Sequence, residues 1–156
     1  MKQTINHELQ QGIAAHNKGN LQEAERIYRT ILVSEPLHPD ANHNLGVLLV
    51  SLNKAKSAIS LFKSALDFNP QIEQFWVSYI DTLIKLNKIK DAKKAIQKAK
   101  KLGFFGETFD TLTVRLTQSI NEKIEGQIYH PGKSSALRLG KNIIAKFGEI
   151  LSLIHI

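Results

Sequence analysis

The chain has no cysteine, a single methionine and a single tryptophan, and only four prolines in 156 residues. Without cysteine there are no disulfides and no thiolate metal sites, which fits a reducing compartment. No apolar run approaches the roughly 20 residues that cross a bilayer. The opening residues, Met1 to Glu8, contain no apolar core of signal-peptide length. The expectation from these absences is a cytoplasmic protein whose core, with 42% hydrophobic residues, forms without covalent staples.

Catalytic and nucleotide-binding patterns are missing as well. Pro131-Gly132-Lys133-Ser134 has the ending of a phosphate loop, but the position five residues before Gly132 is Gln127, with Gly126 one step too far, and no strand precedes it. His7 and His16 fall on opposite sides of a helix, and His38 and His43 straddle a proline turn, so no histidine pair has metal-ligand spacing. No Ser/His/Asp set or carboxylate pair is suggested by spacing. The expectation is a non-enzymatic protein with no cofactor, no metal and no catalytic residue.

What is present is a repeat of 34 residues. Gly12, Gly46 and Ile80 fall in register, as do Ala24, Ala58 and Ala92, then Tyr28, Phe62 and Ile96, then Ile31, Ala65 and Ala99. Gly19-Asn20, Asn53-Lys54 and Asn87-Lys88 mark a turn midway through each unit, where glycine or asparagine takes positive φ at little cost. Each unit therefore reads as helix, turn, helix. The alanines let two helix backbones approach, the large residue four positions later fills the gap, and Pro36 and Pro70 end the second helix. One such hairpin cannot bury its apolar face, so a run of them predicts an all-α right-handed solenoid and not a globule with one centre.

These residues resemble the tetratricopeptide repeats. The second unit is the cleanest match, with Asn44-Leu45-Gly46, Leu49, Ala58, Phe62, Ala65 and Pro70. The third carries Trp76, Tyr79, Leu83, Ala92 and Ala99 but has Ile80 for the glycine and no closing proline. The first keeps Gly12, Ala24, Tyr28 and Pro36, with Glu8 and Gln11 where the family has tryptophan and leucine. The expected division is three units at 5–38, 39–72 and 73–106, a capping helix at 107–125, and a partial fourth unit at 126–150.

The capping helix is expected because Phe109, Leu112, Leu116, Ile120 and Ile124 recur at helical spacing after the break Leu102-Gly103-Phe104-Phe105-Gly106. The partial unit rests on Ala136, Ile143 and Phe147. Residues 151–156, Leu-Ser-Leu-Ile-His-Ile, resemble the translation of a transposon-end sequencing adapter and are expected to be a non-native tail on a fragment. The helix pair, Gly-Phe break and further helix also resemble a bacterial group in which such repeats precede a glycosyltransferase or sulfotransferase domain.

In the tetratricopeptide family the first helix of each pair lines a concave groove. That resemblance places Gln10, Ile13 and Asn17, then His43, Asn44 and Val47, then Ser78, Asp81 and Lys85 on a peptide-binding wall. Leu9 and Ile84 fall on it too. The lysine and asparagine set of chaperone-binding members survives only at Asn44, and the asparagine ladder of O-linked N-acetylglucosamine transferase would have the rungs Gln10, Asn44 and Ser78. The resemblance implies a module that binds an extended peptide or a partner domain, or alternatively the substrate-presenting arm of a larger transferase.

Charge adds a second surface. The net charge is +7, and residues 85–101 hold eight lysines against one acid, Asp91. Lys90, Lys93, Lys94, Lys98 and Lys101 are expected to point outward, where they keep the protein soluble or attract polyanions weakly. No aromatic residues interleave them to stack bases, so specific nucleic-acid recognition is not expected.

Overall fold

The structure is a computed structural model that describes residues 2–128; the expectations for residues 129–150 and for the 151–156 tail lie outside them. Seven helices make it up, α1 (Lys2–Asn17), α2 (Leu21–Ser34), α3 (Pro39–Ser51), α4 (Ala55–Phe68), α5 (Glu73–Lys85), α6 (Ile89–Lys101) and α7 (Glu107–Ile128). No strand occurs among the described residues. The solenoid is built from three hairpins, α1 with α2, α3 with α4 and α5 with α6, followed by α7.

Each hairpin turns in the same way. The αL position falls at Gly19 (φ 77°), Asn53 (φ 59°) and Asn87 (φ 55°). The next amide reaches back five residues, Asn20 to Ala15, Lys54 to Leu49 and Lys88 to Leu83, at 2.9, 2.8 and 2.8 Å. A second bond closes each turn, from Gly19 to His16, Asn53 to Val50 and Asn87 to Ile84. This bond pair satisfies carbonyls that a helix end otherwise leaves open, and only glycine or asparagine reaches positive φ cheaply. The same turn thus recurs in register in all three hairpins.

Inside the hairpins the close approaches are as small as the sequence implies. Ala24, Ala58 and Ala92 are all fully buried. A Cβ placed on Gly12 would lie 2.7 Å from Tyr28 Cε1, and one on Gly46 would lie 2.7 Å from Phe62 Cε1. The aromatic ring thus occupies the space that glycine vacates. In the third hairpin the same two positions hold Ile80 and Ile96, both buried, so side-chain volume moves from the second helix to the first.

The links between hairpins are tied to the following helix. Trp76 Nε1 donates to the Pro70 carbonyl at 2.8 Å. At the equivalent place in the second hairpin Asn42 Nδ2 donates to the Pro36 carbonyl at 2.9 Å and to His38 O at 3.0 Å. A small amide therefore makes the same tie as the indole. The third link has glycines instead: Gly103 (φ 97°) ends α6 and Gly106 (φ 101°) precedes α7.

α1 touches α3, α3 touches α5 and α5 touches α7, whereas α2, α4 and α6 pack on the first helix of the next pair. First helices that meet one another, beside second helices that splay apart, give a layer curved with the first helices inside. The core accordingly comes in two parts, one around α1–α4 and one around α4–α7, with Tyr79 against both. α7 starts 34 residues after α5 and, among its described side chains, buries the stripe Phe109, Leu112, Leu116 and Ile120, which covers the exposed flank of α5 and α6. It runs to Ile128, past the expected boundary at residue 125.

One core atom is out of balance. Tyr28 is 0% exposed, its Oη has no hydrogen-bond partner among the described residues, and burial pushes its pKa up to about 12. Phe62 holds the equivalent position without a hydroxyl. Tyr28→Phe should therefore raise stability by about 1 kcal/mol or more, because an unpaired buried hydroxyl is removed at constant shape. The unfolded chain loses the phenol proton near its ordinary value and the folded chain later, so the parent should lose stability as pH rises from about 10 to about 12. Urea denaturation at several alkaline pH values should show a shallower decline for Tyr28→Phe.

Candidate functional site

The inner face of the curve is made by α1, α3, α5 and α7, whose residues 34 apart lie side by side. The first row across it is Gln10, Asn44 and Ser78; the second is Ile13, Val47 and Asp81. Gln10 and Asn17 are exposed, and Ile13, Asn44, Val47, Ser78 and Asp81 are half-buried. Lys85 is exposed at the end of α5. Apolar side chains and amides thus alternate along one surface.

Three of the residues assigned to this wall are placed otherwise. His43 is only 8% exposed: its Nε2 pairs with Ser78 Oγ at 2.9 Å and its ring stacks on Phe75 at 4.7 Å and tilts against Phe62 at 5.7 Å. Burial lowers its pKa, opposed by the Asn44 side chain and the Asp40 charge. It is a tie between α3 and α5, inward because position 43 faces the neighbouring first helix as well as the groove. Leu9 and Ile84 are also buried, in the two core clusters. Helical register alone assigns all three to the groove side; the close contact of adjacent first helices is what buries them.

Asp81 carries a partner that the sequence reading missed, a hydrogen-bonded ion pair with Arg115 of α7. The signal was available. Extending the register by one more unit sets Arg115 beside Asp81, 34 residues on. Both groups are partly exposed, so the pair orients side chains at the end of the groove more than it stabilises the fold. Gln74 Nε2 donates to Ser78 Oγ at 3.3 Å, leaving the Ser78 hydroxyl shared between two neighbours.

A further opening, a cleft of about 550 Å³, lies at the first link between hairpins, with Ile5, Pro36, Leu37 and Phe68 on its walls. Leu37 and Phe68 are exposed, as are Val33, Ile72, Leu102 and Phe105 near the same edge. Their sequence signal is an apolar residue standing just past the last buried turn of a second helix. Among the described residues no group of three or more histidines and acids could hold a metal ion, and no helix is long and apolar enough to cross a membrane.

Comparison with known proteins rests on structure more than on sequence. The model of the family described as tetratricopeptide repeat matches residues 39–72. No curated protein matches the chain. Among solved structures it resembles the first such domain of Spaghetti (RPAP3) bound to the HSP90 peptide SRMEEVD, with TM-score 0.70, 18% identity, and 78% of this chain and 96% of that one covered. It resembles the Yersinia enterocolitica type III secretion chaperone SycD, solved with a peptide of the translocator YopD, with TM-score 0.63, 14% identity, and 80% and 95% covered. For a mutant of the Thermobaculum terrenum O-GlcNAc transferase the TM-score is 0.65 at 20% identity, with 74% of this chain matched to 22% of that one. Identities this low speak for the fold, and together with the direct match of the second hairpin they identify the chain as one with the tetratricopeptide-repeat fold, an all-α solenoid of helical hairpins.

Proposed function

We propose that this protein is a non-enzymatic interaction module that holds an extended peptide along the inner face of its solenoid. The observation that carries the reading is the run of amides and half-buried aliphatic side chains down α1 and α3, with Gln10 and Asn44 in one row and Ile13 and Val47 in the next. Side-chain amides can pair with a peptide backbone while the aliphatic positions receive its side chains. Two proteins of like fold, the RPAP3 domain and SycD, were solved with peptides, which supports the reading. Asn17 at the end of α1 and Lys85 at the end of α5 would extend the wall, and the Asp81–Arg115 pair would mark its far end.

The test is pull-down with an immobilised library of extended peptides, followed by titration of the best binder. The double variant Asn17→Ala/Asn44→Ala is expected to weaken that binder about tenfold while leaving the thermal transition in place, since Asn17 is exposed and Asn44 half-buried. Unchanged affinity would remove the groove from the account. A second reading has one supporting observation: the transferase of like fold is matched over about a fifth of its length, so this solenoid would be the substrate-presenting arm of such an enzyme. A longer transcript that continues into a catalytic domain would support that reading, and a native stop codon near residue 150 would end it.

A further inference from the structure

The outer face of α6 differs from those of its counterparts. On α2 the two arginines are neutralised within the helix: Arg26 is bonded to Glu23 through two nitrogens at 2.8 and 2.7 Å, and Arg29 to Glu25 at 2.9 and 2.7 Å. One repeat period further on, twice over, Glu25 has become Lys93 and Arg26 has become Lys94. Lys90, Lys94, Lys98 and Lys101 are exposed, and none is in an ion pair among the described residues. Lys90, Lys94 and Lys98 follow one another at four-residue steps, about 6 Å along the axis each, where like charges repel.

The ridge has a structured border. α4 and α6 splay apart, and between them opens a cleft of about 270 Å³ that Lys63 lines from α4 and Lys94 and Lys98 line from α6. Lys98 Nζ stands 5.6 Å from the centre of the Trp76 ring, which fixes its ammonium at the cleft's edge. Asp67 and Asp91 line the cleft too, so a continuous polyanion is better placed on the ridge beside it than within it.

We propose that this ridge docks an extended acidic segment of a partner protein, on the face opposite the groove. The spacing is the first argument. Every second side chain of an extended peptide repeats at about 6.6 Å, close to the 6 Å between lysines four residues apart, so alternate carboxylates can each meet an ammonium. The residue type is the second. All eight cations in residues 85–101 are lysines, which act as point charges, and none is an arginine able to grip phosphate in two bonds. No aromatic residue stands among the ridge lysines to stack a base: the Trp76 ring is buried with its N–H held by Pro70, and Tyr79 is half-buried in the cleft beside the ridge.

Fluorescence anisotropy with the full chain tests this, using a labelled peptide of about 12 residues that alternates glutamate and serine, and an oligothymidylate of equal charge. The peptide is expected to bind, with affinity that falls steeply between roughly 50 and 200 mM salt. Lys90→Gln/Lys94→Gln/Lys98→Gln/Lys101→Gln should weaken it at least about tenfold, and so should Lys94→Glu/Lys98→Glu, with helical circular dichroism unchanged. Asn17→Ala/Asn44→Ala should leave it untouched, which separates this surface from the groove. Equal affinity of the lysine variants would overturn the proposal. Tighter binding of the oligothymidylate than of the peptide would overturn it too, giving the ridge to nucleic acid.

Discussion

Replacing Phe62 by alanine is expected to cost about 3–5 kcal/mol, the largest loss of any single truncation in the middle hairpin. The ring is 1% exposed, fills the space over Gly46 and touches His43 of the same hairpin. Gly46→Ile should also be severe, roughly 3 kcal/mol, because a Cβ at 2.7 Å from a packed ring cannot be absorbed by a flexible chain end. The third hairpin shows how the two changes can coexist, for it holds isoleucine at both positions. Gly46→Ile/Phe62→Ile should therefore be more stable than the sum of its single variants predicts, by about 1 kcal/mol or more. Denaturant titration of the four proteins gives the coupling directly, and additive losses would mean that positions 46 and 62 do not compensate for one another.

That exchange shows why so much of the fold was legible. Period, turn residue and the pairing of a small residue with a large one are all local or internal to one hairpin, and Gly19, Asn53 and Asn87 adopt the positive φ that their residue types allow. The curvature then follows from repetition. What was not legible lies between hairpins. His43 and Ser78 meet across α3 and α5, and Asp81 meets Arg115 across α5 and α7. Helical register says which way a side chain points from its own axis, but the burial of His43 depends on how closely the next first helix approaches. The inner wall is consequently less open than register alone implies: of the residues assigned to it, Leu9, His43 and Ile84 serve packing and Asp81 serves an ion pair.

The ties between hairpins give the second large effect. Trp76→Ala is expected to cost about 3–5 kcal/mol, since it empties a buried site and leaves the Pro70 carbonyl without its donor. Trp76→Phe keeps most of the volume and loses the donor, for about 1–3 kcal/mol. Where that energy is lost matters more than its size. In a solenoid each hairpin is stabilised by its own contacts and by its neighbours, so the damage should stay near α5 to α7, around the core part to which Trp76 belongs. Native-state hydrogen exchange on Trp76→Ala should show protection falling first in α5, α6 and α7, while amides of α1, α2 and the first half of α3 keep most of theirs. A uniform loss across all seven helices would mean that one cooperative centre holds the molecule. In that case the stacking of neighbours, on which the curved inner face depends, would not be the organising interaction.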